Sequence, residues 1–184
     1  MIRRFLALAL AWAAAAPVQA ADDLWTLLKG GGQVLLIRHA STEPGVGDPQ
    51  GMRLGDCSTQ RNLSEEGRRE AKALGEALRA RGVPVARVYA SPWCRCRETA
   101  TLAFGGFEEL GALGNLFGRP ENRDRQMKAL QPLLSRKPEK GNLVLVTHGT
   151  VVQPVSGIAP EQGEIVILTP RGRGKYDIAG RLKP

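Results

Sequence analysis

A chain of 184 residues with 42% hydrophobic and 24% charged residues is long enough to bury a core and is neither disordered nor collagen-like in composition. Two histidines and three cysteines exclude a histidine-rich metal site and a disulfide-dense mini-protein. The net charge of +8 favours anionic partners, but 5% aromatic residues and no long run of like charge argue against nucleic acid.

The first twenty residues, MIRRFLALALAWAAAAPVQA, read as an address. Arg3 and Arg4 form a positive start, Phe5 to Ala16 an apolar stretch, and Val18 and Ala20 put small side chains at a cleavage site. The expectation is a signal peptide over residues 1–20, cleaved after Ala20, and one exported domain over residues 21–184, periplasmic or secreted. No stable membrane span remains after cleavage, because the apolar stretch is short for one. The mature chain keeps 24 basic residues against 18 acidic, a charge of +6. In an oxidising compartment Cys57, Cys94 and Cys96 can supply one disulfide. Cys94 and Cys96 diverge in a predicted helical turn, so the expected bond runs from Cys57 to one of them and leaves one thiol.

Along the chain, Gly30 to Gly32 precede a compact run, Val34 to Ile37, that predicts a short buried strand. Ser41 to Arg61 has no period and is rich in Gly, Pro, Ser, Thr and Asp, which predicts a long functional loop. Ser64 caps a predicted helix with Glu65 and Glu66 at its positive end, Ala71, Leu74 and Leu78 on one face, and Gly82 at its stop. A second strand is predicted over Val85 to Ala90, followed by a helix that starts at Ser91-Pro92 and is stopped by Gly105-Gly106. Glu121 to Ser135 predicts a helix, Leu143 to Val146 a buried strand, and Val151 to Ile158 a short helix weakened by Pro154. Late strands are predicted over Gly163 to Leu168 and Tyr176 to Ile178. This alternation implies an α/β fold, a three-layer α/β/α sandwich with a largely parallel central sheet, whose sites form at the carboxyl ends of strands.

Three segments follow predicted strands and carry reactive side chains: Arg38-His39-Ala40, Ser91 through Ala100 with Arg95, and Thr147-His148-Gly149. If the strands are neighbours, both histidines of the chain meet Arg38 and Arg95 in one pocket. Such a pocket suits a phosphoryl group. Guanidinium forks match phosphate oxygens, and two such charges keep an imidazole neutral and nucleophilic. A neutral imidazole can attack phosphorus while the second stabilises the spreading charge, and the arginines neutralise charge without metal or cofactor.

In these segments the chain resembles the histidine phosphatase superfamily, in the branch that includes the cofactor-dependent phosphoglycerate mutases. Arg38-His39-Ala40 stands where that family has R-H-G. Ser91, Arg95, Thr99 and Ala100 fall in register with S-x-x-x-R-A-x-x-T-A, with Cys96 in place of the usual Ala, and His148-Gly149 follows the late strand. Leu63 to Gly67 is similar to the family's L-[ST]-x-x-G helix start. The resemblance implies a phosphoglycerate mutase-like fold and a metal-independent phosphoric monoester hydrolase. It casts His39 as the nucleophile that becomes phosphorylated and Arg38, Arg95 and His148 as the phosphate pocket.

The chain departs from that pattern at the proton donor. The best register places Asn115, an amide, where the family has its acid. The remaining candidates for the donor are Glu108 and Glu109, if the register slips, and Glu43 and Asp48 from the long loop. Arg53 and Arg61 are candidates to touch the non-reacting part of a substrate. The expected partner is a small phosphorylated compound, with an envelope sugar phosphate as the specific candidate. Two other readings stay open: a phosphohistidine (phosphoramidate) phosphatase, and a non-catalytic binder of phosphorylated or anionic envelope ligands.

Overall fold

The structure, a computed structural model, describes residues 16–184, with side chains from Ala21 onward. The predicted leader therefore lies mostly outside the described residues. Among the described residues no helix is long and apolar enough to cross a membrane.

The centre of the molecule is a six-stranded sheet in the order β3-β2-β4-β1-β5-β6. Its strands are β1 (Val34–Arg38), β2 (Val85–Ala90), β3 (Glu108–Glu109), β4 (Asn142–Thr147), β5 (Ile165–Gly172) and β6 (Lys175–Leu182). The first four run parallel to one another, while β5 pairs antiparallel with β1 and β6 antiparallel with β5. The sheet is thus mixed, with its antiparallel part confined to one edge.

β1 and β4 read as unbroken apolar runs because both of their faces are covered. Side chains alternate along each strand. Leu35, Ile37, Val144 and Val146 face one layer, packed against Leu28, Leu74, Leu78, Ala100 and Ala103. Those partners belong to α1 (Ala16–Lys29), α2 (Glu65–Ala80) and α3 (Cys94–Phe104). Val34, Leu36, Leu143 and Leu145 face the other layer, against Leu130, Leu134, Val151, Val152 and Val155. These come from α4 (Arg123–Ser135) and α5 (Gly149–Ser156). The three-layer sandwich follows from that alternation.

α2 begins as its sequence dictates: Ser64 accepts the Gly67 N–H and two glutamates fill the first turn. A Cβ on Gly67 would sit 1.8 Å from the Ser41 carbonyl oxygen, so only glycine lets the helix start abut the loop after β1. Several element boundaries differ from the sequence expectation. α3 begins at Cys94, with Ser91 and Pro92 in the turn before it and Trp93 as cap. Residues 120–122 form a separate 3-10 turn, so α4 begins at Arg123. α5 begins at Gly149, directly after His148. β5 starts at Ile165 and runs on to Gly172, and β6 extends to Leu182, because the two strands close into a long hairpin. α1 and the two-residue β3 had no sequence signal of their own.

β4 lies between β1 and β2, which brings three carboxyl ends side by side. The ladder continues past the strands: His39 N–H donates to Thr147 O at 2.9 Å, and Ser91 N–H to Val146 O at 2.9 Å. The disulfide joins Cys57 to Cys94, and Cys96 is a buried free thiol. It ties the loop between β1 and α2 to the first turn of α3.

Candidate active site

Above these strand ends lies a cavity of about 370 Å³ lined by Arg38, His39, Arg61, Arg95, Asn115 and His148, among others. The four residues singled out on the strand ends therefore converge.

His39 follows the last residue of β1 and is 3% exposed. Its Nδ1 lies 2.9 Å from the Ala40 carbonyl oxygen. A carbonyl only accepts, so Nδ1 carries the proton and Nε2 keeps the lone pair. Burial, then the charge of Arg95, push its pKa down to about 3, so the ring is neutral at neutral pH. The Ala40 N–H donates to Thr99 Oγ1 at 3.1 Å, and the Thr99 hydroxyl donates to Arg95 O at 2.7 Å. Thr99 thereby couples the turn after His39 to α3.

His148 caps α5, its ring centroid 5.4 Å from that of His39 and 5.3 Å from that of Trp93. Arg95 Nη2 lies 3.4 Å from its Nδ1. A guanidinium only donates, so Nδ1 accepts and the ring proton sits on Nε2, which donates to Ser91 Oγ at 2.8 Å. Burial, then His39 and Arg95, hold this ring well below the usual histidine range. Cys96 Sγ is 3.5 Å from both Thr147 O and His148 Nε2, and burial pushes its thiol up to about 12. It is a neutral packing group beside the site.

Arg95 is 1% exposed and grips Asp48 through Nη1–Oδ1 at 2.6 Å and Nη2–Oδ2 at 3.3 Å. Asp48 also accepts from the Arg61 N–H at 3.1 Å and from Trp93 Nε1 at 3.0 Å. Burial alone would raise its pKa, but Arg95 outweighs burial and holds the carboxyl below its ordinary value. Asp48 is thus an ionised partner of the arginine, which corrects its candidacy as proton donor. Arg38 donates to Pro160 O at 2.8 Å, and Arg61 donates to Gly45 O.

Burial and mutual repulsion lower the pKa of both Arg38 and Arg61. Among the described residues, the buried Nε atoms of Arg38, Arg61 and Arg95 have no hydrogen-bond partner. Three repelling guanidinium groups lining one cavity define a seat for a polyvalent oxyanion.

The other expected donors are not at this seat. Glu108 and Glu109 sit on the edge strand β3, 3.4 Å from Arg87 and 3.9 Å from Arg97 respectively. Glu43 is exposed and outside the cavity lining. Arg53 pairs with Asp56 at 2.6 Å on the surface and does not reach the cavity. Asn115 does line the cavity, and its Oδ1 accepts from the Phe117 N–H at 3.1 Å and from Thr150 Oγ1 at 2.8 Å. Those two bonds fix the amide orientation and leave its Nδ2 donors as the remaining capacity. Arg61 proved to be a lining residue, and the Asp48–Arg95 pair had no sequence signal. Among the described residues, no group of three His, Cys, Asp or Glu side chains is placed to hold a metal.

The fold is an α/β sandwich with an arginine- and histidine-lined seat at adjacent strand ends. Residues 34–110 match the model of the histidine phosphatase superfamily (branch 1). That segment runs from β1 through β3 and holds Arg38, His39, Ser91 and Arg95; His148 lies beyond it. Three solved structures share the fold. The protein histidine phosphatase SixA, complexed with tungstate, is 18% identical, with 83% of this chain and 97% of that chain covered at a TM-score of 0.58. A phosphoserine phosphatase variant from Entamoeba histolytica, in complex with phosphoserine, is 15% identical, with 81% and 95% covered at 0.56. A protein from Thermus thermophilus is 21% identical, with 83% and 99% covered at 0.52. No match was found among curated proteins.

Proposed function

We propose that this protein is a phosphatase that removes a terminal phosphoryl group, as from a phosphomonoester, through a phosphohistidine on His39. The family match and the phosphatase neighbours support a phosphatase enzyme. The observation that carries the mechanism is a neutral ring with its Nε2 lone pair free, in a cavity that Arg38, Arg61 and Arg95 also line.

In this reading, Arg38 and Arg95 bind the phosphate oxygens and neutralise the charge that spreads over them in the transition state, while Arg61 faces the non-reacting part of the substrate. His39 Nε2 attacks phosphorus as the bond from phosphorus to the leaving oxygen breaks. The electron pair departs on that oxygen, which takes its proton from solvent, and the Nδ1–H bonded to Ala40 O stabilises the positive charge that develops on the ring. His148 accepts from Arg95 and so holds that guanidinium against the seat. Water then attacks the phosphohistidine, and the P–N electron pair returns to Nε2. We also infer export, which the leader pattern and the Cys57–Cys94 disulfide support. In that compartment an envelope sugar phosphate is the substrate candidate.

Turnover of phenyl phosphate in EDTA, beside a His39→Ala variant, tests the reading. Release of phosphate that survives EDTA and is lost in the variant is the expected result. Binding of orthovanadate without turnover would instead favour a non-catalytic anion binder.

A further inference from the structure

The identity of the leaving group can be read from what surrounds the seat. No residue lining the cavity is Asp or Glu. Asn115 cannot donate a proton as an acid, and Asp48 is held ionised against Arg95. An alkoxide would therefore depart unprotonated and forfeit the roughly 10²–10⁴-fold that a positioned acid supplies.

The exit is also cationic. Three guanidinium charges, on Arg38, Arg61 and Arg95, against the Asp48 carboxylate leave a net +2 at the floor. A second groove of about 300 Å³ adjoins the cavity, sharing Val46, Gly47, Asn115 and Phe117 with it. There Arg119 lies over the Trp93 ring, 5.4 Å from its centroid, and adds a further positive charge on the way out.

We propose that the preferred substrate carries a terminal diphosphate, with its outer phosphoryl group at His39 and its inner phosphate held by Arg61 and Arg119. This rests on the phospho-His39 reading above. His39 Nε2 forms a bond to the outer phosphorus, and the bond from that phosphorus to the bridging oxygen breaks. The electron pair stays on the bridging oxygen, which leaves on the inner phosphate as an oxyanion and needs no proton. Water then cleaves the phosphohistidine, giving inorganic phosphate and releasing one proton to solvent. A phosphoramidate also leaves without an external acid, but its leaving group is protonated nitrogen, which Arg61 and Arg119 repel. An envelope sugar is by this account a substrate when it carries a diphosphate.

The test compares kcat/KM of the purified protein for adenosine diphosphate, glycerol 2-phosphate, phosphoramidate and phenyl phosphate, all in EDTA, with His39→Ala as the blank. The diphosphate is expected to exceed glycerol 2-phosphate by about 100-fold or more. Arg61→Ala and, separately, Arg119→Ala are expected to lower the ratio of diphosphate to phenyl phosphate about tenfold, the loss of one charge-assisted contact. The inference is overturned if glycerol 2-phosphate comes within about tenfold of the diphosphate. It is equally overturned if phosphoramidate is the better substrate, or if neither arginine moves the ratio. Turnover of phenyl phosphate without that of the diphosphate removes this inference and leaves the proposed phosphatase standing. No turnover of phenyl phosphate removes both.

Discussion

Arg95 serves two anions. Its fork is already occupied by Asp48, with side chains 1% and 9% exposed, yet the same guanidinium faces the phosphate seat. Breaking a buried pair from one side leaves an uncompensated charge, so Asp48→Asn is expected to destabilise the fold by about 3 kcal/mol in urea unfolding. The same change frees positive charge at the seat, so orthovanadate should bind more tightly. Weaker vanadate binding by the variant would show that Asp48 orients Arg95 more than it competes for it. The carboxyl's folded pKa lies below its unfolded value, so its stabilisation is present above the ordinary carboxylate range and is lost in acid, below about pH 4. Arg38, His39 and His148 were legible because they stand at the ends of strands that hydrophobic patterning reveals, and Arg95 because it opens the helix after one. Arg61 was legible only as one of two loop candidates and Asp48 only as a proton donor, because a loop's path, and hence its ion pairs, leaves no period in the sequence.

Two elements fix where that loop runs. At one end Gly67 lets α2 touch Ser41, and Ala there would place a Cβ within 1.8 Å of a carbonyl oxygen. Gly67→Ala is expected to cost about 2–3 kcal/mol, because neither backbone can give way cheaply. At the other end the disulfide anchors Cys57 to α3. Cys57→Ser should cost about 2–4 kcal/mol, seen as a lower Tm, with a smaller relative change in kcat for phenyl phosphate. Equal melting in reducing and oxidising buffer would contradict that role. Strong period and clear caps made α2, β1, β2 and β4 readable in advance. The start of α3 was misplaced because Ser-Pro is a good helix opening in isolation, whereas here Ser91 is drawn to His148 and Trp93 becomes the cap. β3 is held by two pairings to β2, too few for any sequence pattern.

Across the whole molecule, two imidazoles are buried neutral. Both have folded pKa values below the unfolded value near 6.5, so the unfolded chain binds more protons as the pH falls. Stability should therefore decline below about pH 6.5, by up to about 1.4 kcal/mol per pH unit for each ring. Urea unfolding at pH 7 and pH 5 checks this, and His39→Gln should remove one ring's share of the slope. A flat profile between those values would mean that the rings are hydrated or charged in the folded protein.

The place of β4 has a consequence for how the chain acquires its shape. The strands that carry His39 and Ser91 are not neighbours until β4, made much later, slides between them. Val34 must find Leu143 and Arg38 must find Thr147, pairings remote in sequence that are slow to close and are formed parallel. Until then β1 and β2 expose apolar edges open to pairing with other chains. A nascent or truncated chain ending before residue 147 therefore holds no site and carries its greatest tendency to aggregate. Insertion of β4 closes the facing edges of β1 and β2 and brings His39, Ser91 and His148 together, and β5 then covers the other edge of β1.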